Sequence, residues 1–202
     1  PVVKLNKNEI EWLRNNYPQM IYDEERSVIA GLFSINHKYN GINIKDCFNI
    51  EVRLYAMRNR EEYPKVYNTD GRIQKIAKRK NMKIQDLHVY SDNSLCLGLP
   101  ARFYEYYPEG FNLQFFFKHL SEHLYWVAYY ERYNKSPWPA ELHGDDAMIE
   151  LLCENIDDTL QDKMKFEELR KLYKKKFGHG IAKSKLVRRL KEKSFISKFI
   201  GL

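Results

Sequence analysis

The chain has 202 residues, 44% of them hydrophobic and 30% charged, with a formal net charge of +7, the balance of a soluble globular protein of one sizeable domain or a domain with an appendage. Its three cysteines, at 47, 96 and 153, form no CxxC pair and are too few for a disulfide framework, which excludes a cysteine zinc site and suits a reducing cytoplasm. The N-terminal "PVVKLNKNEIEWLR" has no apolar signal core and no apolar run is long enough to span a membrane.

Residues 8–16, "NEIEWLRNN", predict a short helix capped by Asn8. From Ser27 the texture changes to Val, Ile, Phe and Tyr. "SVIAGLFSINHKY" and "CFNIEVRLYA" read as strands joined through Asn40-Gly41, a strong hairpin signal. In the second, Phe48, Ile50, Val52 and Leu54 share one face, while Asn49, Glu51 and Arg53 share the other. "YPKVYNTDGRI" gives a third strand closing on Asp70-Gly71, and "LHVY" a fourth fragment, so an antiparallel meander is expected. The period then becomes helical over 112–133, through Leu113, Phe116, Phe117, Leu120, Leu124, Val127 and Ala128. Two prolines and a glycine in "NKSPWPAELHGDD" end it, and a further helix follows at 147–160.

The tail predicts a helical hairpin. Phe166, Leu169, Leu172, Tyr173 and Phe177 form one stripe, "GHG" stops it, and Leu186, Val187 and Leu190 begin another. Residues 163–202 carry 14 Lys+Arg and 3 Asp+Glu, a net of +11, which leaves −4 for residues 1–162. A basic run is most often a solvated face; an acidic protein or nucleic acid are its alternative partners, and no base-reading signature is present. Helix, then strands, then helices is an α+β order.

Cysteine is among the most buried residue types, and that reading is taken for Cys47, which starts an alternating strand, and for Cys153, at core spacing with Ile149 and Leu152. Cys96 differs. It follows "SDNS", a polar turn, with His88 eight residues earlier and Asn93 three earlier. A nucleophilic thiol needs access and a stabilised thiolate. Histidine moves protons near neutral pH, and histidine or asparagine can donate to an oxyanion.

The segment resembles the active-site stretch of ubiquitin-conjugating enzymes, N-[IV]-x-x-x-G-x-[IVL]-C-L. Val89, Leu95, Cys96 and Leu97 match, Asn93 stands at the glycine, and His88 stands at the oxyanion asparagine. The likeness is greater to bacterial members. "EYPKVYNTDGRI" is similar to their YP-x-V-Y-…-GRI, "HVYSDNSLCLG" to their HV-x-x-D-[GN]-S-L-C-L-G, and "YYERYNKSPWPAELHG" to their downstream Trp-Pro…His-Gly loop. The resemblance covers residues 25–145; the basic tail has no counterpart in it. It implies a ubiquitin-conjugating (UBC-like) catalytic domain over 1–145, with an N-terminal helix, a four-stranded antiparallel meander, the cysteine after the sheet and then helices. A basic helical extension occupies 146–202.

The resemblance also implies the chemistry. Cys96 carries the C-terminus of a ubiquitin-like protein, or of a nucleotide cyclase in antiphage defence operons, as a thioester, and passes it to a target lysine. His88 stabilises the oxyanion or accepts the amine's proton, Asp92 or Asn93 orients the lysine, and His143 is a further accessory candidate. No cofactor is expected on this chain, since ATP is used by a separate activating enzyme. Two rivals stand beside this reading. One is a catalytically inactive partner-binding module of the same fold. The other is zinc binding through "HLSEH", His119 to His123, the H-x-x-E-H of inverted zinc metallopeptidases, for which the sequence names no third ligand.

Overall fold

The computed structural model describes residues 2–139, 142 and 144–200, and the chain divides into two compact units, Pro1–Pro139 and Ala140–Leu202. The first unit is α+β. Its opening helix, α1 (Lys7–Asn16), starts one turn-position earlier than the sequence suggests, because Asn6 and not Asn8 is the cap. Asn6 Oδ1 accepts the Glu9 N–H at 2.9 Å while Glu9 Oε2 accepts the Asn6 N–H at 2.9 Å, a reciprocal capping box. Glu9 is almost buried, yet Arg60 meets both its oxygens at 2.9 and 2.8 Å. Burial alone would raise the Glu9 pKa; the Arg60 and Asn6 hydrogen bonds outweigh it and hold the carboxyl below its ordinary value.

The sheet is an antiparallel meander in the order β1 (Met20–Asp23), β2 (Val28–Tyr39), β3 (Ile42–Arg53) and β4 (Lys65–Asn68). The β2–β3 hairpin turns at Asn40 and Gly41, both at positive φ (46° and 83°), as a two-residue primed turn requires. Alternation holds along β3: Ile44, Phe48, Ile50 and Val52 are buried. Cys47 is on the other face and exposed, which corrects its reading as a core residue: directly opposite it is exposed Ser34, not an apolar side chain.

One further expectation is corrected and another extended. The fourth strand is β1, not "LHVY", of which only Val89 forms an isolated bridge, to Leu95; His88 sits in the left-handed region at φ 57° and interrupts extended backbone there. And Asp70-Gly71 does not merely close a strand. Gly71, at φ 67°, is the N-cap of α2 (Arg72–Arg79), and Asp70 Oδ1 accepts the Arg72 N–H at 3.1 Å.

After the short α3 (Phe103–Tyr106), the long α4 (Leu113–Tyr133) begins at Asn112, whose side chain accepts from Gln114 and Phe115. It packs against β2 and β3 and completes an aromatic core in which Phe117 meets Trp12, Tyr17 and Phe33 at centroid distances of 5.7, 4.8 and 5.1 Å. Each such edge-on pair adds about 1 kcal/mol to the burial of its rings.

The second unit is helical: α5 (Gly144–Glu154), α6 (Ile156–Gln161), α7 (Lys163–Phe177), α8 (Lys183–Arg189) and α9 (Lys193–Ile200). The helix expected over 147–160 is broken at Asn155. The α7 stripe buries Phe166, Leu169, Leu172 and Tyr173, and Gly178 ends the helix at φ 74°, a left-handed cap. The second arm of the expected hairpin is two short helices, whose Leu186, Phe195 and Phe199 join the same core. Among the described residues no helix is long and apolar enough to cross a membrane.

Candidate active site

Cys96 closes a small hairpin that hangs from β4. Val89 bridges Leu95 and Tyr67 bridges Ser94. Backbone hydrogen bonds run from Tyr90 N–H to Ser94 O (2.8 Å), from Leu95 N–H to Val66 O (2.8 Å) and from Cys96 N–H to His88 O (2.7 Å). His88 and Cys96 are therefore cross-strand partners. Val89, Leu95 and Leu97 are buried in the main core, whereas Tyr90 is exposed and Cys96 half-buried. The alternation that anchors the leucines is what brings the thiol to the surface.

The turn of this hairpin is built by the two accessory residues. Asn93 adopts φ 64°, a left-handed position that asparagine tolerates. Asp92 accepts from the Ser94 N–H at 3.0 Å and from its hydroxyl, and its other oxygen takes Lys65 Nζ of β4 at 2.6 Å. Those bonds, Lys65 first, lower its carboxyl to about 2. Asp92 thus fastens the turn to the sheet as an anion.

The Cys96 thiol donates to Tyr90 Oη at 3.0 Å. Desolvation of its hydroxyl first, then the hydrogen bond and charge of Cys96 and the Asp92 charge, push the Tyr90 phenol above its ordinary value. When the thiol ionises, the phenol can reverse the bond and donate to the thiolate, a charge-assisted and stronger interaction. Two residues on, Gly98 lies at φ 151°, and a Cβ there would come within 3.0 Å of Tyr63 Oη; glycine lets a second phenol approach the chain beside the thiol. Tyr90 falls at an unspecified position of its motif, and Tyr63 is the tyrosine of the YP-x-V-Y stretch, where nothing in the sequence pointed to its place here. The only sequence signal for Tyr90 is its even spacing from Cys96 on a two-residue period.

His88 is 9% exposed, and its ring meets Trp126 of α4 edge-on at 4.7 Å and His123 at 5.6 Å. The α4 histidines face different neighbours: His119 Nδ1 shares a hydrogen bond with Tyr107 Oη at 3.0 Å, and its ring stacks on Tyr106. Among the described residues no three His, Cys, Asp or Glu side chains are arranged to hold a metal ion. His143 lies outside the described residues. Cys153 is half-buried and desolvation pushes its thiol up to about 11, the inert character expected of it.

Comparison with protein-family models, with curated proteins and with solved structures gives no match to this chain.

Proposed function

We propose that the protein is a bacterial ubiquitin-conjugating-enzyme-like acyl carrier in antiphage defence, with Cys96 as its thioester-forming nucleophile. The observation that carries the reading is the placement of Cys96: a half-buried thiol at the end of a hydrogen-bonded hairpin just after a four-stranded meander, 3.0 Å from the Tyr90 phenol. Cys47 has access but, among the described residues, no such hydrogen-bond partner for its thiol, and Cys153 has a suppressed thiolate.

In the proposed reaction the Cys96 thiolate attacks the thioester carbonyl presented by an ATP-dependent activating enzyme, whose own cysteine leaves as thiolate. The cargo is the C-terminus of a ubiquitin-like protein or a nucleotide cyclase. A target lysine amine then attacks the Cys96 thioester, expels the thiolate, loses a proton and forms an amide. His88, the backbone partner of Cys96, stands for the oxyanion donor or the proton acceptor. Asp92 and Asn93 act first as builders of the hairpin. The alternative, an inactive partner-binding module, draws on one observation: the His88 ring is buried against Trp126 rather than solvent-facing.

The test is incubation with the cognate activating enzyme, ATP and the cargo protein, read by intact mass and non-reducing gel. The proposal expects a thiol-sensitive adduct that Cys96→Ala abolishes and that Cys96→Ser converts to a thiol-resistant ester. An authentic partner set that leaves Cys96 unmodified favours the binding module.

A further inference from the structure

The two edges of the sheet are treated differently. Beyond the end of β4, the β3 edge is covered in part by side chains. Arg132 donates to Lys45 O at 3.2 Å, Arg72 donates to Cys47 O at 2.9 Å, and Asp46 Oδ1 accepts the Cys47 N–H at 2.8 Å. The β2 edge is left open. β1 covers only Val28–Gly31, with one further bond from Leu32 N–H to Gln19 O at 3.2 Å. There Pro18 turns the chain away, through Met20 N–H to Tyr17 O at 2.9 Å.

The register fixes which groups are bare. Tyr39 pairs with Ile42 across the two-residue turn, so odd residues of β2 bond to β3 and even residues point to the outer edge, as the Leu32 bond to Gln19 requires. The N–H and C=O of Ser34, Asn36 and Lys38 therefore project outward, and among the described residues nothing bonds to them. Beside them runs a groove of about 370 Å³ whose lining includes Tyr17, Pro18 and Leu32 as apolar walls and Asn16, Gln19, Ser34, Asn36 and Ser121 as polar ones. Every β2 residue in that lining is one whose backbone faces the edge. The polar walls are neutral amides and hydroxyls, suited to a peptide backbone and not to a charged small molecule.

We propose that this edge is a docking site for an extended segment of a partner polypeptide, added antiparallel to β2 and end to end with β1. The occupant is set by continuity: β1 already occupies the same edge, and the groove lies where the residues preceding it would run had Pro18 not diverted them. Six or seven residues at about 3.3 Å each would fill Phe33–Tyr39. Strand addition of this kind takes affinity from main-chain hydrogen bonds. The inference is independent of the chemistry at Cys96.

The probe is a phage-displayed library of random 12-residue peptides selected on the full chain, with the selected peptide synthesised. Amide exchange by NMR reads the site. In the free protein the amides of Ser34, Asn36 and Lys38 should exchange about 100-fold faster than those of Phe33, Ile35 and His37, and the peptide should slow the first three. Asn36→Pro removes one outward donor without touching the β3 ladder and should weaken binding about ten-fold. Peptides N-methylated at successive positions test the same bonds with the protein unaltered: alternate positions should lose binding. Slow exchange of the three amides in free protein overturns the proposal. So does protection that rises with protein concentration, which would make a second copy the occupant. A library that yields no binder, or a peptide that protects other amides, overturns it as well.

Discussion

Replacing Arg72 by methionine tests what holds α2 and α4 to the sheet. The guanidinium grips Asp46 with both nitrogens, Nη1 to Oδ1 at 2.8 Å and Nη2 to Oδ2 at 2.9 Å, and reaches Glu131 of α4 at 2.6 Å. It also lies 4.3 Å from the Phe48 ring centroid. The carboxylate side chains are only 13% and 17% exposed, and that of Arg72 is 26%. Breaking a buried pair from one side costs about 3–5 kcal/mol; residual access to water and the surviving partners Arg132 and Arg79 bring the expectation to about 2–3 kcal/mol. With a urea slope of about 1.5–2 kcal/mol/M for a unit of this size, the midpoint should fall by about 1–2 M. All three tryptophans, 12, 126 and 138, lie in the first unit, so their fluorescence follows its unfolding alone. The pH dependence has a definite sign. Burial would raise the Asp46 pKa, but the Arg72 and Cys47 hydrogen bonds hold it below its ordinary value. A depressed carboxyl stabilises above its unfolded value near 4 and loses that contribution as pH falls through the folded value. The gap between wild type and Arg72→Met should therefore be widest at pH 7 and shrink below about pH 4. Arg72→Lys, which keeps charge but not the fork, should fall between. A loss under about 1 kcal/mol at pH 7, or one that is the same at pH 7 and pH 3, would refute the reasoning.

Three other outcomes are expected. Tyr90→Phe should slow alkylation of Cys96 by iodoacetamide at pH 7 roughly three- to ten-fold, since the thiolate loses a hydrogen-bond donor; peptide mapping of a pH–rate series checks it, and an unshifted profile would show the phenol to be a bystander. Native protein should alkylate at Cys47 and Cys96 and spare Cys153, whose thiol at about 11 is protonated at pH 8; Cys153 should react only as urea opens the second unit. Gly31→Ala should destabilise the first unit by at least about 2 kcal/mol, because its Cβ would fall 1.9 Å from Gln19 O at φ 147°, and equal urea midpoints would contradict that packing.

Where the sequence could be read, one local rule acted alone. Asn40-Gly41 demanded a primed turn, and the 48–54 alternation needed no distant partner to choose its face. The α4 stripe likewise declared its period over about four turns. Where it could not be read, two rules competed. Asp70-Gly71 is a turn signal and also a helix start, and only the Asp70 bond to the Arg72 amide decides between them. β1 carries four residues with Ile21 73% exposed, too short and too wet to show a pattern; its place is set by Gly31, which admits the Gln19 carbonyl. Cys47 shares its strand with buried Phe48, but its own parity puts it outside. The Cys96 and His88 spacing was visible as a motif, while the contacts of Cys96 with Tyr90 and of His88 with Trp126 exist only in the fold.

The position of Cys96 follows from the same parity that misplaced Cys47. On both segments neighbouring apolar residues enter the core and the cysteine is left outside. The difference is what the surrounding chain supplies. β3 offers Cys47 a flat strand whose opposite residue, Ser34, is itself exposed. The hairpin offers Cys96 a turn that Asp92 ties to Lys65, a backbone carbonyl of a histidine braced on α4 that accepts its N–H, and a phenol in contact with sulfur. A thiol used for acyl transfer must hold its geometry through two attacks, one by itself and one upon its ester. Rigid support together with access is what that task requires, and among the three cysteines Cys96 has both.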